Sequence, residues 1–179
     1  FSSFIISISG NNLIIALVLT MASSLILGMG LPTAAAYILV ATLTAPALVT
    51  MGVDLMAAHM FVFYSAMLSS ITPPVALAAF AAAAISREPP MRVAMISVKY
   101  GFVAFLLPYF FVLEPRLLLM GTLSEAIGVF LMAAIGIVTL ACVLQGYAMG
   151  SLSWLTRAVL AVASLCLLMP EISLKIIGI

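Results

Sequence analysis

Two short segments of the sequence combine residue types that can bind an ion without any charged side chain. The first is Gly28-Met29-Gly30-Leu31-Pro32-Thr33, and the second is Ser69-Ser70-Ile71-Thr72-Pro73-Pro74. Proline has no backbone N–H, and glycine tolerates dihedral angles that other residues avoid, so each segment should interrupt a helix. An interrupted helix frees carbonyls at one end and amides at the other, and such ends coordinate cations and attract anions.

The chemistry expected of each segment can be assigned to particular groups. In the first, the carbonyls of Gly28 and Gly30 are candidate cation ligands, and Pro32 removes an amide donor. The hydroxyl and amide of Thr33 are available to the cation or to an anionic substrate. In the second segment Thr72 takes the matching role. Candidates of lower rank in that segment are Ser69, Ser70 and the carbonyls that precede Pro73 and Pro74.

A purely structural interpretation of the two segments stands beside the functional one. Proline and glycine are more frequent in membrane helices than in soluble ones, and they often only kink them. Serine and threonine hydroxyls in helices usually bond a preceding carbonyl rather than a ligand. The repetition of a Thr-Pro break in neighbouring segments favours the functional interpretation, because paired interrupted segments point to the binding site of a transporter.

Composition indicates the environment in which these segments lie. Of the 179 residues, 66% are hydrophobic and 6% are charged, whereas soluble domains carry about a quarter charged residues. Such a chain cannot bury its apolar surface as a soluble fold, which predicts an integral membrane protein in contact with the lipid bilayer. The net charge of +1 excludes a basic surface for nucleic acid.

Few other side chains could do chemistry. Cys142 and Cys166 lie in apolar runs and fit neither a metal cluster nor a disulfide framework. A proton relay between Asp54 and His59 is conceivable, but we interpret Asp54 as the cap of a helix. With one histidine and almost no carboxylates in the apolar runs, the chain lacks the convergent groups of a membrane enzyme. We therefore predict a protein that is not an enzyme and has no cofactor beyond a coupling ion.

The elements that must position the two segments follow from the apolar runs and their boundaries. Because residues 1–53 contain no charged side chain, we predict a re-entrant helical hairpin over 12–51, with its tip in the first segment. A discontinuous helix over 54–86 and a span over 93–113 follow, so that 1–113 form half of a transport domain. Residues 114–179 are predicted to add transmembrane helices, about Leu123–Leu144 and Leu155–Met169. The expected fold class is an all-α, multi-span membrane bundle, and the start at Phe1 without a signal sequence suggests a piece of a longer protein.

Two strings within these elements resemble a known family. GMGLPTAAAYILVATLTAPAL over 28–48 and ITPPVALAAFAAAAIS over 71–86 resemble the large membrane subunit of tripartite ATP-independent periplasmic (TRAP) transporters. The likeness is greatest to the fused permeases that pair with TAXI-type binding proteins, and it is looser for the last two spans. It implies an elevator-type fold of inverted repeats, of which this chain holds the second hairpin and its broken helix.

The resemblance also implies a function. Family members take up an organic anion, commonly a carboxylate, with a sodium gradient, and a periplasmic binding protein delivers the substrate. The implied partners are that protein, an N-terminal permease half and small-subunit-like helices, in the cytoplasmic (inner) membrane of a bacterium or archaeon. From the residues alone, coupling to Na⁺ or H⁺ stays open. Family ion sites correspond to Gly28, Gly30, Pro32, Thr33, Thr72, Pro73 and Pro74. The alternative is a non-transporting structural or assembly subunit of a membrane complex.

Overall fold

The computed structural model describes residues 1–148 and 150–168. Within these residues there are eight α-helices and two 3₁₀ helices and no strand, which confirms the all-α prediction. The chain divides into two compact units, Phe1–Val112 and a second that begins at Leu113. The helices are α1 Ser2–Ser9, α2 Leu13–Gly28, α3 Thr33–Thr50, α4 Leu55–Leu68, α5 Leu77–Ser86, α6 Pro90–Leu113, α7 Leu123–Gln145 and α8 Trp154–Leu168, with 3₁₀ helices at Ser69–Ile71 and Pro115–Leu118.

The core of the first unit is a bundle of α2, α3 and α4, in which every pair of helices is in contact. The helices approach closely because the residues between them are mostly small. Alanine, serine and threonine occupy many of the buried positions in all three helices. The short α1 packs on α2 and α3, with Ile5 buried and the Ser2 hydroxyl donating to the Leu43 carbonyl at 2.9 Å.

The start of α4 is fixed by Asp54. Its Oδ1 atom accepts hydrogen bonds from the amides of Met56 at 2.7 Å and Ala57 at 3.4 Å, so the predicted cap is confirmed. His59 pairs with α3 instead, since its Nδ1 lies 3.0 Å from the Tyr37 hydroxyl. The Tyr37 ring also meets Phe63 edge to face, with centroids 5.4 Å apart. Because only four residues separate α3 from α4 and the two helices pack against each other, they run antiparallel.

The helices α5 and α6 complete the first unit. Ala76, Ala79 and Ala94 form a buried cluster with Phe80 and Val93 packed against it, so one face of the alanine-rich stretch serves close packing. The helix α6 begins at Pro90, three residues before the predicted span, because a proline fits the first helical position.

Aromatic contacts join α4 and α6 within the same unit. Tyr109 meets Phe61 edge to face at a centroid distance of 5.3 Å, and Phe111 meets Tyr64 in the same way at 5.1 Å. Each such pair adds about 0.5–1.5 kcal/mol beyond the area it buries. These contacts hold α6 against the helix that leads into the second break.

The second unit contains α7 and α8, which pack against each other. A capping box of Thr122 and Glu125 starts α7, and Gly146, with φ +71°, ends it. From α8, Arg157 donates Nε to the Val143 carbonyl at 2.9 Å. The two helices coincide closely with the predicted spans, except that Met169 and the rest of the predicted C-terminal segment lie outside the described residues.

Three of the described helices are long and apolar enough to cross a membrane, judged by length and composition. They are α3, α6 and α7. The helices α2, α4, α5 and α8 are apolar but shorter. Since α3 meets the length of a full span while α2 does not, the re-entrant course of the hairpin remains a prediction.

Candidate functional site

The first break joins α2 to α3 in a tight turn. The helix α2 ends at Gly28, whose carbonyl accepts the amide of Leu31 at 3.2 Å. Gly30 has φ +76°, the left-handed conformation that favours glycine. Pro32 then takes an extended conformation, and its carbonyl accepts the amide of Ala36 at 2.9 Å, which is the first hydrogen bond of α3. We call Gly28–Thr33 the hairpin tip.

The second break replaces two turns of helix between α4 and α5. After Leu68 the chain forms the 3₁₀ helix Ser69–Ile71, turns extended at Thr72 and passes a cis peptide bond between Pro73 and Pro74. Helical structure resumes at Leu77. In an uninterrupted helix, the amide of residue 74 would donate to the Ser70 carbonyl, but Pro74 has no amide proton. We call Ser69–Ala76 the unwound segment.

The structure brings the two breaks together. A Cβ atom added to Gly28 would lie 2.8 Å from Ser69 Oγ and 3.4 Å from the Ala66 carbonyl oxygen. A Cβ atom on Gly30 would lie 3.4 Å from Val75 Cγ1. The sequence placed these residues in two separate breaks, and their direct packing makes a single composite region. Behind it, Gly101 of α6 would bring a Cβ atom to 3.1 Å from Ile71 Cδ1.

The hydroxyls of the unwound segment all donate to the helix that precedes them. Ser69 donates to the Ala66 carbonyl at 2.6 Å, Ser70 to that of Met67 at 2.7 Å and Thr72 to that of Leu68 at 2.7 Å. The protons are thus directed toward the protein, and the oxygen atoms retain their lone pairs. Such oxygens can accept from a donor or coordinate a cation, and they cannot donate to a substrate anion without leaving their carbonyls.

The region has no charged side chain, so its electrostatics come from the helix ends. Two helix C-termini converge, that of α2 at Gly28 and that of α4 at Leu68, and both carry partial negative charge. The N-termini of α3 and α5 begin at Thr33 and Leu77, after the contact between Gly30 and Val75, and carry partial positive charge.

Burial differs between the two kinds of helix end. Gly28 and Ser69 are buried, and Ser69 is only 2% exposed. Gly30, Pro32, Thr33 and Pro74 are exposed. The negative ends therefore meet inside the protein, where partial charges act more strongly, and the positive ends open to its surface. Thr33 and Thr72 consequently have different surroundings, because only the Thr72 side chain is partly buried and bonded to a carbonyl.

Sequence reasoning missed several parts of this region. Ala66 and Val75 contact the tip glycines, and Gly101 supports the unwound segment from α6. Small residues in apolar helices signal close helix packing in general, but they do not identify the partner. Only the fold shows that α6 reaches the unwound segment.

Comparison with known proteins connects these observations to a family. A family model described as "Tripartite ATP-independent periplasmic transporter, DctM component" matches residues 1–126, well over half of the chain. No curated protein and no solved structure matches the chain. The matched range includes the hairpin tip and the unwound segment, so the resemblance predicted from the two motifs is confirmed at the level of the family. The chain belongs to the DctM family, which forms the large permease component of TRAP transporters in the membrane.

Proposed function

We propose that the hairpin tip and the unwound segment form half of the ion and substrate site of a secondary active transporter that imports an organic anion. One observation carries the proposal, the convergence of two helix C-termini at the contact between Gly28 and Ser69. Carbonyl ends that meet in a buried place favour a cation. The adjoining helix N-termini, at Thr33 and Leu77, favour an anion on the exposed side.

The coupling ion in this proposal is Na⁺, with H⁺ as the alternative. Neutral oxygen atoms suit a hard cation that keeps its charge, whereas proton coupling needs a group that titrates. Neither the tip nor the unwound segment contains an acidic, basic or histidine side chain. The cation ligands would be the carbonyls of Gly28 and Gly30 and the hydroxyl of Thr72, with Ser69, Ser70 and the carbonyls that precede Pro73 and Pro74 as further donors.

The substrate in this proposal is a small carboxylate. A carboxylate accepts hydrogen bonds from the free amides of a helix N-terminus and gains from its partial positive charge. The Thr33 amide and hydroxyl lie at such an end, beside Pro32. A bound cation next to the anion would offset its charge, which explains how both could leave water together.

The partners in this proposal are those expected of a TRAP permease. A periplasmic binding protein would deliver the anion, and an N-terminal permease half with small-subunit-like helices would complete the site in the cytoplasmic membrane. The likeness to fused permeases supports a binding protein of the TAXI type. The residues of this chain would then supply the second hairpin and its broken helix, with α7 and α8 as additional helices.

Uptake measurements with threonine variants test the site. In the intact transporter, Thr33→Ala and Thr72→Ala should reduce carboxylate uptake, and Thr72→Ala should raise the sodium concentration for half-maximal uptake about five- to tenfold, the effect of one neutral ligand. Thr50→Ala is a matched control, because its hydroxyl also donates to a carbonyl four residues earlier, that of Pro46, at 2.7 Å.

The control should behave as the wild type. If both site variants keep normal uptake and normal sodium dependence, the site assignment is wrong. The same result would favour the alternative of a structural or assembly subunit, in which the breaks only kink the helices. Sodium-independent uptake by the wild type, with the variants impaired, would retain the substrate part of the site, and it would assign the coupling to H⁺ at a titratable group outside the two segments.

A further inference from the structure

A row of small residues continues from the hairpin tip into the helix bundle. Ala16, Thr20, Ser24 and Gly28 follow one another at intervals of four residues on α2, and all four are buried. Their spacing places them on one face of the helix. Gly28, the last of the row, lies against Ser69 at the end of α4.

Thr20 differs from the other buried hydroxyl residues of the bundle. Ser24, Thr44 and Ser65 are fully buried, and each donates to the carbonyl four residues earlier, at 2.6, 2.9 and 2.7 Å. Thr20 is also 0% exposed, but its Oγ1 atom has no hydrogen-bond partner among the described residues. A buried hydroxyl without a partner costs about 1–3 kcal/mol, so it needs an explanation.

The register of the helices places two other hydroxyl residues, Ser24 and Ser65, near Thr20. The helices α2 and α4 are both antiparallel to α3 and therefore run parallel to each other. Since Gly28 lies against Ser69, the residues one turn earlier, Ser24 and Ser65, fall at the same level. Ser24 is in turn bonded to Thr20, because its hydroxyl donates to the Thr20 carbonyl. Three buried hydroxyls thus occupy two adjacent turns of the bundle.

The directions of the hydroxyl protons indicate what kind of ligand this cluster suits. Ser24 and Ser65 donate their protons to helix carbonyls, so only their oxygen lone pairs remain available to a ligand. The Thr20 oxygen bonds none of the described residues, so its lone pairs are available as well. These oxygen atoms suit a hard cation, and no carboxylate is among them. A cation of single charge fits better than a divalent one, because burying two uncompensated charges costs more free energy.

We propose that Thr20, Ser24 and Ser65 form a second binding position for a sodium-type cation, inside the bundle and separate from the hairpin tip. Thr20 precedes Gly28 by eight residues, which is about 12 Å along the helix. This inference rests on the proposed function, because the ion would enter through the carbonyl ends at Gly28 and Ser69. The position would connect ion binding to the packing of the hairpin against α4.

Thermal unfolding of the intact transporter in detergent, with NaCl or choline chloride, tests the position. Thr20→Val keeps the shape of the side chain and removes the hydroxyl. In choline chloride this variant should be at least as stable as the wild type, because an unpartnered buried hydroxyl is lost. In NaCl it should need about tenfold more sodium than the wild type for half of the stabilisation, since one ligand is missing.

Thr44→Val is the matched control. Thr44 is equally buried, but its hydroxyl already donates to Val40, so this variant should lose a little stability in both salts and keep the wild-type sodium response. Thr20→Ser retains the hydroxyl and should respond as the wild type does, and Ser65→Ala should weaken the response as Thr20→Val does. If Thr20→Val does not fold, the sodium responses of Ser65→Ala and Thr44→Val test the proposal, since only Ser65→Ala should need more sodium than the wild type.

The outcomes separate this inference from the proposed function. If the wild type and Thr44→Val gain stability from sodium and the Thr20 and Ser65 variants gain it at the same concentrations, the second position is wrong and the site at the tip is unaffected. Equal destabilisation of Thr20→Val in both salts would mean that Thr20 binds a buried water, which also overturns the cation. If sodium stabilises no form of the protein, both the second position and sodium coupling are wrong.

Discussion

The variant Gly28→Ala tests whether the hairpin tip and the unwound segment meet as the structure shows. The added methyl group would lie 2.8 Å from Ser69 Oγ and 3.2 Å from Ser69 Cβ. The first of these distances is too short for any real contact, so Ser69 or the end of α2 has to move. Ser69 is itself held by its bond to the Ala66 carbonyl, at 2.6 Å, and is 2% exposed, so it has little room.

The expected cost follows from two opposing terms. Overpacking of a close-packed site costs about 1–3 kcal/mol, and alanine gains up to about 1 kcal/mol over glycine in a helix. The net effect is a loss of about 1–2 kcal/mol in the free energy that holds the two breaks together. A loss of that size lowers the equilibrium population of the form in which the two breaks are in contact by about 5- to 30-fold. Uptake should fall, and the sodium concentration for half-maximal uptake should rise.

Unfolding in detergent and sodium-dependent uptake are the two assays. Ser69→Gly in the same chain removes both close contacts and should restore part of the stability and uptake, which a double-mutant cycle would show as a coupling between the two positions. Gly128→Ala is the control, since no atom lies within 4 Å of its added Cβ atom and alanine should stabilise α7. Normal stability and normal uptake of Gly28→Ala would refute the contact.

Two further predictions concern single capping interactions. Asp54→Ala removes the acceptor of the Met56 and Ala57 amides and should lower the free energy of unfolding by about 1 kcal/mol, whereas Asp54→Asn should retain most of it; thermal unfolding of both variants checks this. Arg157→Met keeps most of the length of the side chain but removes the hydrogen bond from Nε to the Val143 carbonyl, and it should cost about 0.5–1 kcal/mol, because the side chain is exposed. Faster hydrogen exchange at the Gly146 amide, with no change in uptake, is the expected result, and an unchanged exchange rate would show that Arg157 does not hold the end of α7.

The two breaks could be predicted from sequence because their cause is local. A proline lacks an amide wherever it occurs, but a single proline does not always end a helix, since Pro46 lies inside α3 and Pro108 inside α6. Pro32 follows two nearby glycines, and Pro73 and Pro74 are consecutive, so at these two places the local signals combine and the helices break. The Asp54 cap was predictable for the same reason, since its partners are two and three residues away. The helix boundaries that followed from these signals differ from the structure by only a few residues, as at Pro90.

The joining of the breaks could not be predicted, because it depends on how helices pack. From sequence alone, Gly28 and Gly30 have the same predicted role, which is freedom of the backbone. In the structure only Gly30 has a positive φ, and Gly28 is a helical residue whose missing side chain admits Ser69. A glycine required by its neighbours and a glycine required by its own dihedral angles look alike in a sequence. The same limit applies to Thr20, whose lack of a partner is a property of the folded bundle.

A site made from helix ends predicts an order of sensitivity among its residues. The partial charges at Gly28 and Leu68 belong to the backbone, so removing one hydroxyl, as in Thr72→Ala, takes away one ligand and leaves the field in place. Gly28→Ala moves the backbone itself and displaces several carbonyls together. On this reasoning, Gly28→Ala should impair sodium-dependent uptake more than Thr72→Ala does, although it removes no polar atom. The reverse order would mean that side-chain hydroxyls, rather than helix ends, provide most of the binding energy for the ion.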